Sequence, residues 1–127
     1  MTAALETDVP RSLEVTHRNE VVIVGRMSTD AVLRELPSGD EVATWRLIVD
    51  RPDNVSGRFD VVECATFNGR VRRQAIAWNP DDVIEVTGAL RRRFWKSPVG
   101  LQNKYEVHVK RAARLYAAPV KRQQTRE

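Results

Sequence analysis

Apolar and polar residues alternate along several segments of the chain, and this alternation predicts β-strands. The clearest example is residues 41–51, where the side chains on one face are apolar: Ala43, Trp45, Leu47 and Val49. Most side chains on the other face are polar, as in a strand with one buried side. Because Trp45 belongs to the apolar row, its indole is predicted to pack in the core rather than to stack on a ligand.

Three further segments are predicted to be strands. Residues 19–27 contain a β-branched run that bends at Gly25. Residues 58–67 alternate without a wholly apolar face, so the pattern alone does not tell which face points inward. The next strand runs from Val83 into a basic stretch, and Gly88 is the predicted site of a bend or bulge.

A last strand and one short helix complete the predicted elements. Alternating apolar residues over 105–109 predict the fifth strand, whose pattern fades after Leu115. Apolar residues spaced by three to four over 70–78 predict an amphipathic helix with Trp78 facing the core, and Pro80 ends it. Five strands with one short helix between the third and fourth predict an all-β, Greek-key barrel of the oligonucleotide-binding (OB) class.

The basic stretch at residues 88–96 is the main candidate for function. Continued alternation places Arg91, Arg93 and Trp95 on one face. Such a row offers cations to phosphates and a flat ring to an unstacked base. The opposite face mixes a cation with apolar residues: Leu90, Arg92 and Phe94. The alternative is a solvated basic strand end in which Trp95 plugs the barrel.

The distribution of charge favours a polyanionic partner. Residues 88–127 contain eleven Lys or Arg and two Asp or Glu, whereas residues 1–87 contain ten and fifteen. The C-terminal third of this single-domain chain of 127 residues is therefore strongly basic. A basic tail that only keeps the protein in solution is the alternative interpretation.

The remaining composition argues against an enzyme, a secreted protein or a membrane protein. Cys64 is the only cysteine, which excludes an intrachain disulfide and fits a reducing cytoplasm. No signal peptide or membrane-spanning run is recognisable. His17 and His108 have no partners at the spacing of a metal site or a catalytic triad, so we expect no catalytic residues, metal or cofactor.

Several segments together resemble the bacterial single-stranded DNA-binding protein family. The resemblance is carried by the segments 19–26, 42–47, 84–91 and 106–109 and by the aromatic residues Phe67 and Trp95. It implies an OB-fold domain at 19–115. The absence of sustained periodicity on either side predicts a flexible N-terminal arm (1–18) and a disordered basic tail (116–127). The resemblance also implies a cytoplasmic, nucleoid-associated homotetramer that binds single-stranded DNA without sequence preference during replication, recombination or repair.

The resemblance also implies which residues contact DNA. The matching family positions imply that Trp95, Phe67, Arg91 and Arg93 face the DNA. In our leading hypothesis, bases stack on Trp95 and Phe67, and seven cations meet phosphates: Arg26, Arg46, Arg51, Arg58, Arg91, Arg93 and Lys96. Within the third strand, the side of Phe59, Val61 and Phe67 would face nucleic acid. The Cys64 thiol would then point into the core.

This chain departs from the family pattern in ways that affect binding and partners. Two positions that are aromatic in well-studied members are non-aromatic here, at Val61 and near Asp53, and Glu63 would repel phosphate. The glycine-rich linker and acidic tip that recruit other proteins are missing, and residues 121–127 are basic instead. We therefore expect an accessory paralogue that contacts any replication or repair proteins by another route than an acidic tip.

Three other functions remain open at this point. The barrel could serve mainly as a protein-interaction subunit of a replication-restart or recombination complex. The missing stacking aromatics and the presence of the acidic Glu63 favour this function. RNA could bind to the same face, because stacking and phosphate contacts do not read the sugar. A nuclease would require a metal centre assembled from acids such as Asp81 and Asp82, which the sequence does not favour.

Overall fold

The computed structural model describes residues 16–53 and 57–119 as a β-rich domain. Its elements, in chain order, are β1 (Val21–Met27), β2 (Val32–Glu35), β3 (Glu41–Asp50), β4 (Phe59–Thr66), α1 (Gly69–Ala75), β5 (Val83–Ser97) and β6 (Gly100–Tyr116). Most of the predicted arm (1–15) and of the predicted tail (120–127) lies outside the described residues.

The strands pair into a sheet that closes on itself. Their order is β1-β5-β6-β4-β3-β2, and β1 pairs with β3 as well, at Arg26–Ile48 and Met27–Leu47. The β4–β6 pair is parallel, whereas the other pairs are antiparallel. The all-β barrel with a helix between the third and fourth predicted strands is therefore confirmed, and the short strand β2 adds to it.

Two tryptophans form the centre of the core. Trp45 and Trp78 are both buried, with ring centroids 5.4 Å apart and ring planes at 82°. This edge-to-face geometry is one that aromatic pairs favour. Trp45 therefore packs in the core as predicted, and Trp78 joins α1 to the barrel. Cys64 is buried in the same cluster, so its predicted inward orientation is confirmed.

The helix α1 begins where its sequence provides a cap. The Asn68 side chain accepts a hydrogen bond of 3.0 Å from the backbone N–H of Val71, which would otherwise have no partner within the helix. Val71 and Ala75 are the buried residues of α1. The helix thus presents one apolar side to the barrel, as its spacing predicts.

At Gly88 the backbone of β5 lies close against the backbone of β6. A Cβ at this position would overlap the carbonyl oxygen of His108, so only glycine fits. The β5–β6 register shifts between Thr87 and Gly88, which confirms the predicted bulge. Lys110 is skipped by the pairing, because Gly88 pairs with Val109 and Thr87 with Arg111.

Beyond Gly88, β5 and β6 continue as a two-stranded ribbon that leaves the barrel. The pairing of β5 with β1 ends at Gly88, and β6 pairs with β4 only at Val107 and His108. We call residues 89–105 the hairpin, since in the described structure they pair along their length only with the opposite strand of this ribbon. Asn19 supports its base by hydrogen bonds to the backbone N–H and C=O of Leu90.

A buried carboxylate at Asp82 anchors the opposite end of the same two strands. It accepts hydrogen bonds from the backbone N–H groups of Asn79 (2.9 Å) and Ala118 (2.7 Å) and from Arg114 Nη1 (3.2 Å). Burial opposes ionisation of Asp82, but these donors outweigh it and hold its pKa below the usual range. Asp82 therefore joins the turn after α1 to the segment that follows β6.

Candidate functional site

The outer surface of β3, β4, β5 and β6 gathers most of the sequence-predicted site. Residues directly opposite one another in antiparallel strands share a face. Arg46 lies opposite Glu63, Arg91 opposite Glu106 and Arg93 opposite Lys104. We call this surface the front face; its members are Arg46, Glu63, Phe67, Arg91, Arg93, Trp95, Lys104, Glu106 and His108.

Two aromatic rings are accessible on the front face. Trp95 is 37% exposed on the hairpin, and the Arg93 guanidinium carbon lies 5.0 Å from its ring centroid. Phe67 is 47% exposed at the end of β4, with its centroid 6.0 Å from that of His108. The alternative in which Trp95 plugs the barrel is therefore wrong, because the hairpin carries it beyond the barrel. Both rings are open to a stacking partner.

Each of two carboxylates on the front face lies between two basic side chains. Glu63 is 2.7 Å from Arg46 Nε and 3.6 Å from Lys104 Nζ. Glu106, which is buried, is 3.3 Å from Arg93 Nε and 3.0 Å from His108 Nε2. These acids hold the basic groups in place, but they also compensate part of the positive charge that a polyanion would meet.

The other predicted cations lie away from the centre of the front face. Arg26 is on β1, 3.6 Å from Asp81, and Arg51 is 2.8 Å from Asp60. Arg51 and Arg58 share a backbone hydrogen bond at the β3–β4 connection. Lys96 alternates with Trp95 and so belongs to the opposite side of the hairpin.

Three of the seven predicted phosphate-binding cations have no ion pair within residues 16–53 and 57–119. These are Arg58, Arg91 and Lys96. Of the three, only Arg91 is on the front face, where it follows Leu90 at the base of the hairpin. Arg91 is therefore the front-face cation most available to a new anion.

The sequence-based site omitted the row that β6 contributes. Lys104, Glu106 and His108 alternate with the apolar residues that identified this strand, so period two alone would have placed them together. The contact of Lys104 with Glu63 could not be predicted in the same way. It depends on the parallel register between β4 and β6, which brings Cys64 opposite Val107.

Two kinds of reactive site can be assessed in the described residues: a metal centre and a nucleophilic thiol. In residues 16–53 and 57–119, no group of three or more His, Cys, Asp or Glu side chains is placed to hold a metal ion. Burial, with Glu63 and Glu106 nearby, raises the pKa of the Cys64 thiol to about 12, so it is a poor nucleophile. Over the same residues, no helix combines the length and apolar character needed to cross a membrane.

A barrel with exposed aromatic and basic side chains invites comparison with known proteins. Residues 18–115 match the Single-strand binding protein family. The chain belongs to this family. The resemblance of its strand segments to this family is thereby confirmed, and the matched residues include all of 19–115.

Curated relatives within the family are about one-third identical to this chain. Single-stranded DNA-binding protein 1 of Streptococcus agalactiae serotype III is 34% identical over 85 residues, covering 65% of this chain and 52% of the relative. Single-stranded DNA-binding protein A of Bacillus subtilis is also 34% identical over 85 residues, covering 49% of its length. The chain thus matches about half the length of these family members.

A solved structure shares the fold of this chain. The chain is similar to one in the structure titled "Plasmodium falciparum SSB complex with ssDNA", with a TM-score of 0.64 and 18% sequence identity. The match covers 82% of this chain and 98% of the other. This likeness confirms the OB-type barrel predicted from the order of elements.

Proposed function

We propose that this protein binds single-stranded DNA without sequence preference and without catalysing a reaction, in support of DNA replication, recombination or repair. The observation that carries the proposal is the exposed Trp95 ring beside the Arg93 guanidinium on the hairpin. Bases would stack on Trp95 and Phe67, and phosphates would meet the neighbouring cations. Stacking of this kind contributes about 1–3 kcal/mol per base and needs no particular sequence.

The ion pairs of the front face determine which cations can bind phosphate directly and which must first leave a carboxylate. Arg91 meets a phosphate directly, because no carboxylate of the described residues pairs with it. Arg93 and Arg46 must exchange Glu106 and Glu63 for phosphate. The same exchange applies to Arg26 and Arg51, while Arg58 and Lys96 extend the basic surface at its edges. We expect weaker phosphate contacts than the number of arginines implies.

We further propose a homotetramer in a reducing cytoplasm. Two valines of β1, Val22 and Val24, are exposed on the outer side of that strand, which supports contact with another copy. The lone buried thiol of Cys64 is compatible with a reducing compartment. Light scattering of the purified chain with and without oligo-dT tests assembly; a monomer under both conditions would contradict the tetramer.

Titration of labelled oligo-dT at increasing salt tests DNA binding. We expect affinity to fall steeply with salt, because each phosphate contact releases counterions from the strand. Trp95→Ala should weaken binding by about 1–3 kcal/mol without lowering the melting temperature, since the ring lies outside the core. A titration with no salt dependence, or a preference for duplex DNA, would contradict the proposal.

The two carboxylates of the front face favour one second candidate function. Glu63 and Glu106 make the centre of this surface less attractive to phosphate and more suitable for a basic or polar protein surface. The protein would then act as an interaction subunit of a replication-restart or recombination complex. Pull-downs before and after nuclease treatment separate the two functions, because only a protein contact survives the nuclease.

A further inference from the structure

The hairpin has a second surface, of which the proposed function uses only Lys96, at its edge. In the barrel, the inward side of β6 is apolar and buried, as at Val107, which is 2% exposed. Alternation places Tyr105 on the same side two residues further along, but there it is 56% exposed. On β5 the same side carries Leu90, Arg92 and Phe94. We call Leu90, Arg92, Phe94, Lys96 and Tyr105 the rear face.

The rear face holds a stack of one cation and two rings. The guanidinium carbon of Arg92 lies 4.8 Å from the centroid of Phe94 and 5.8 Å from that of Tyr105. Both distances are within the range of a cation–π contact. Arg92 Nε also donates to Asn103 Oδ1 at 3.2 Å, which gives this side chain a third contact within the hairpin. Phe94 is 53% exposed, so the stack is accessible to a partner.

Charge identifies the kind of partner that suits this surface. The hairpin contains five Lys or Arg and no Asp or Glu. Within the described structure, neither Arg92 nor Lys96 has an ion pair, in contrast to Arg93 on the front face. A second copy of the same face would bring like charges together, which is unfavourable. A polyanion with flat rings satisfies both the cations and the aromatics.

We propose that the rear face is a second contact surface for the same single strand of DNA. Bases stack on Phe94 and Tyr105, and phosphates meet Arg92 and Lys96. The inference rests on the proposed function, and it adds a subsite that extends the footprint past the front face. From Arg91 on β5, and up to Tyr105 on β6, neither outer edge of the ribbon pairs with another strand of the described structure, so a DNA strand can cross an edge from one face to the other.

Moving the surface indole between the two faces tests the proposal directly. Trp95→Phe removes the front-face fluorophore and leaves the buried Trp45 and Trp78 as a constant background. Adding Phe94→Trp to that variant installs an indole on the rear face with little change in size. Each protein is titrated with oligo-dT of about 8 nucleotides, which is within the roughly 4–16 nucleotides that one OB fold covers, and of about 35, which is well beyond it.

The proposal predicts a length-dependent signal. The short oligonucleotide should quench the wild-type protein through Trp95 but leave the indole at position 94 unchanged. The long oligonucleotide should quench the indole at position 94 beyond the Trp95→Phe background. Absence of that quenching, while Trp95 responds in the wild type, would overturn the rear-face inference alone. Absence of any Trp95 response to either length would overturn the proposed function itself.

Affinity supplies a second readout with a matched control. Phe94→Ala should weaken binding of the long oligonucleotide by about tenfold and that of the short one by less than about twofold. Val99→Ala, in the exposed turn of the same hairpin, removes neither a ring nor a charge and should change neither value. If Phe94→Ala leaves both affinities unchanged but disrupts self-association in light scattering, the rear face contacts a second copy and the inference is wrong.

Discussion

The strands β5 and β6 behave differently in their two halves. Within the barrel their inward side is closed off by the other strands, and Val86 and Val107 are buried there. In the hairpin the same side continues in register but nothing in the described structure covers it, so Phe94 and Tyr105 are more than half exposed. One pattern of alternation therefore has two physical consequences along a single pair of strands.

The two halves of these strands contribute to different properties: the barrel half to the stability of the fold, and the hairpin half to the recognition of a partner. In the barrel half, an apolar side chain stabilises the fold in proportion to the surface that it removes from water. In the hairpin half, the same kind of side chain keeps most of its surface and stays available to a partner. Substitutions in the two halves should therefore change different measurable quantities, and the following predictions test that separation.

The largest effect is expected at Asp82, at the barrel end of these strands. Asp82→Asn places an amide where three N–H donors converge, which should cost about 3 kcal/mol of unfolding free energy. Because the pKa of Asp82 is lowered in the fold, its stabilising contribution is present above the unfolded value of about 4 and lost as pH falls toward the folded value. Urea unfolding at neutral and acidic pH measures both effects.

The variant also provides the control for that pH dependence. Between neutral pH and about pH 3 the wild type should lose more stability than Asp82→Asn, because only the wild type titrates at this position. Equal losses in the two proteins would show that Asp82 does not anchor the turn after α1 to the end of β6. Binding of oligo-dT by the folded fraction should stay unchanged in the variant, since the front face is distant along the strands.

A matched pair on one side of β6 tests the two halves directly. Val107→Ala should reduce the unfolding free energy by about 2 kcal/mol, because two buried methyl groups are lost and a cavity is left. Leu101→Ala removes a larger group, but at 66% exposure it should cost less than about 0.5 kcal/mol. Thermal unfolding followed by circular dichroism compares them; similar costs would mean that the hairpin is packed against something in solution.

The smallest effect is expected on the front face, and it concerns binding. Glu63→Gln removes the charge that holds Arg46 and Lys104, so both cations become available to phosphates. Affinity for oligo-dT should rise by about threefold at low salt, with a salt slope steeper by about 0.7 for each cation engaged. The control is Glu35→Gln, which removes the same charge at an exposed position of β2 and should have no such effect. Weaker binding by Glu63→Gln would indicate that Glu63 positions these cations for DNA.

The sequence was sufficient for the parts of the fold in which one face of a strand is buried. Alternation around Trp45, together with the spacing that placed Trp78 on α1, predicted the aromatic centre of the core. The row of Arg91, Arg93 and Trp95 was predicted by continuing the β5 pattern past Gly88, and the β5–β6 register confirms that these residues share a face.

Other parts depended on information that alternation does not contain. All four residues of β2 are exposed, so its sequence has no apolar face to reveal a strand. In β6 the unpaired Lys110 reverses the alternation, with Val109 facing the core before it and Ala112 after it. The ion pairs of Glu63 and Glu106 depend on which strands are neighbours, a property of the whole barrel.

Gly88 also restricts how the hairpin can vary in length. The ribbon leaves the barrel at this glycine. Beyond it, the face on which a residue lies depends on the number of residues that separate it from Gly88. Insertion of one residue between Gly88 and Phe94 would turn Trp95 to the rear face and Phe94 to the front. The hairpin can therefore lengthen or shorten without exchanging its two surfaces only when residues are gained or lost in pairs.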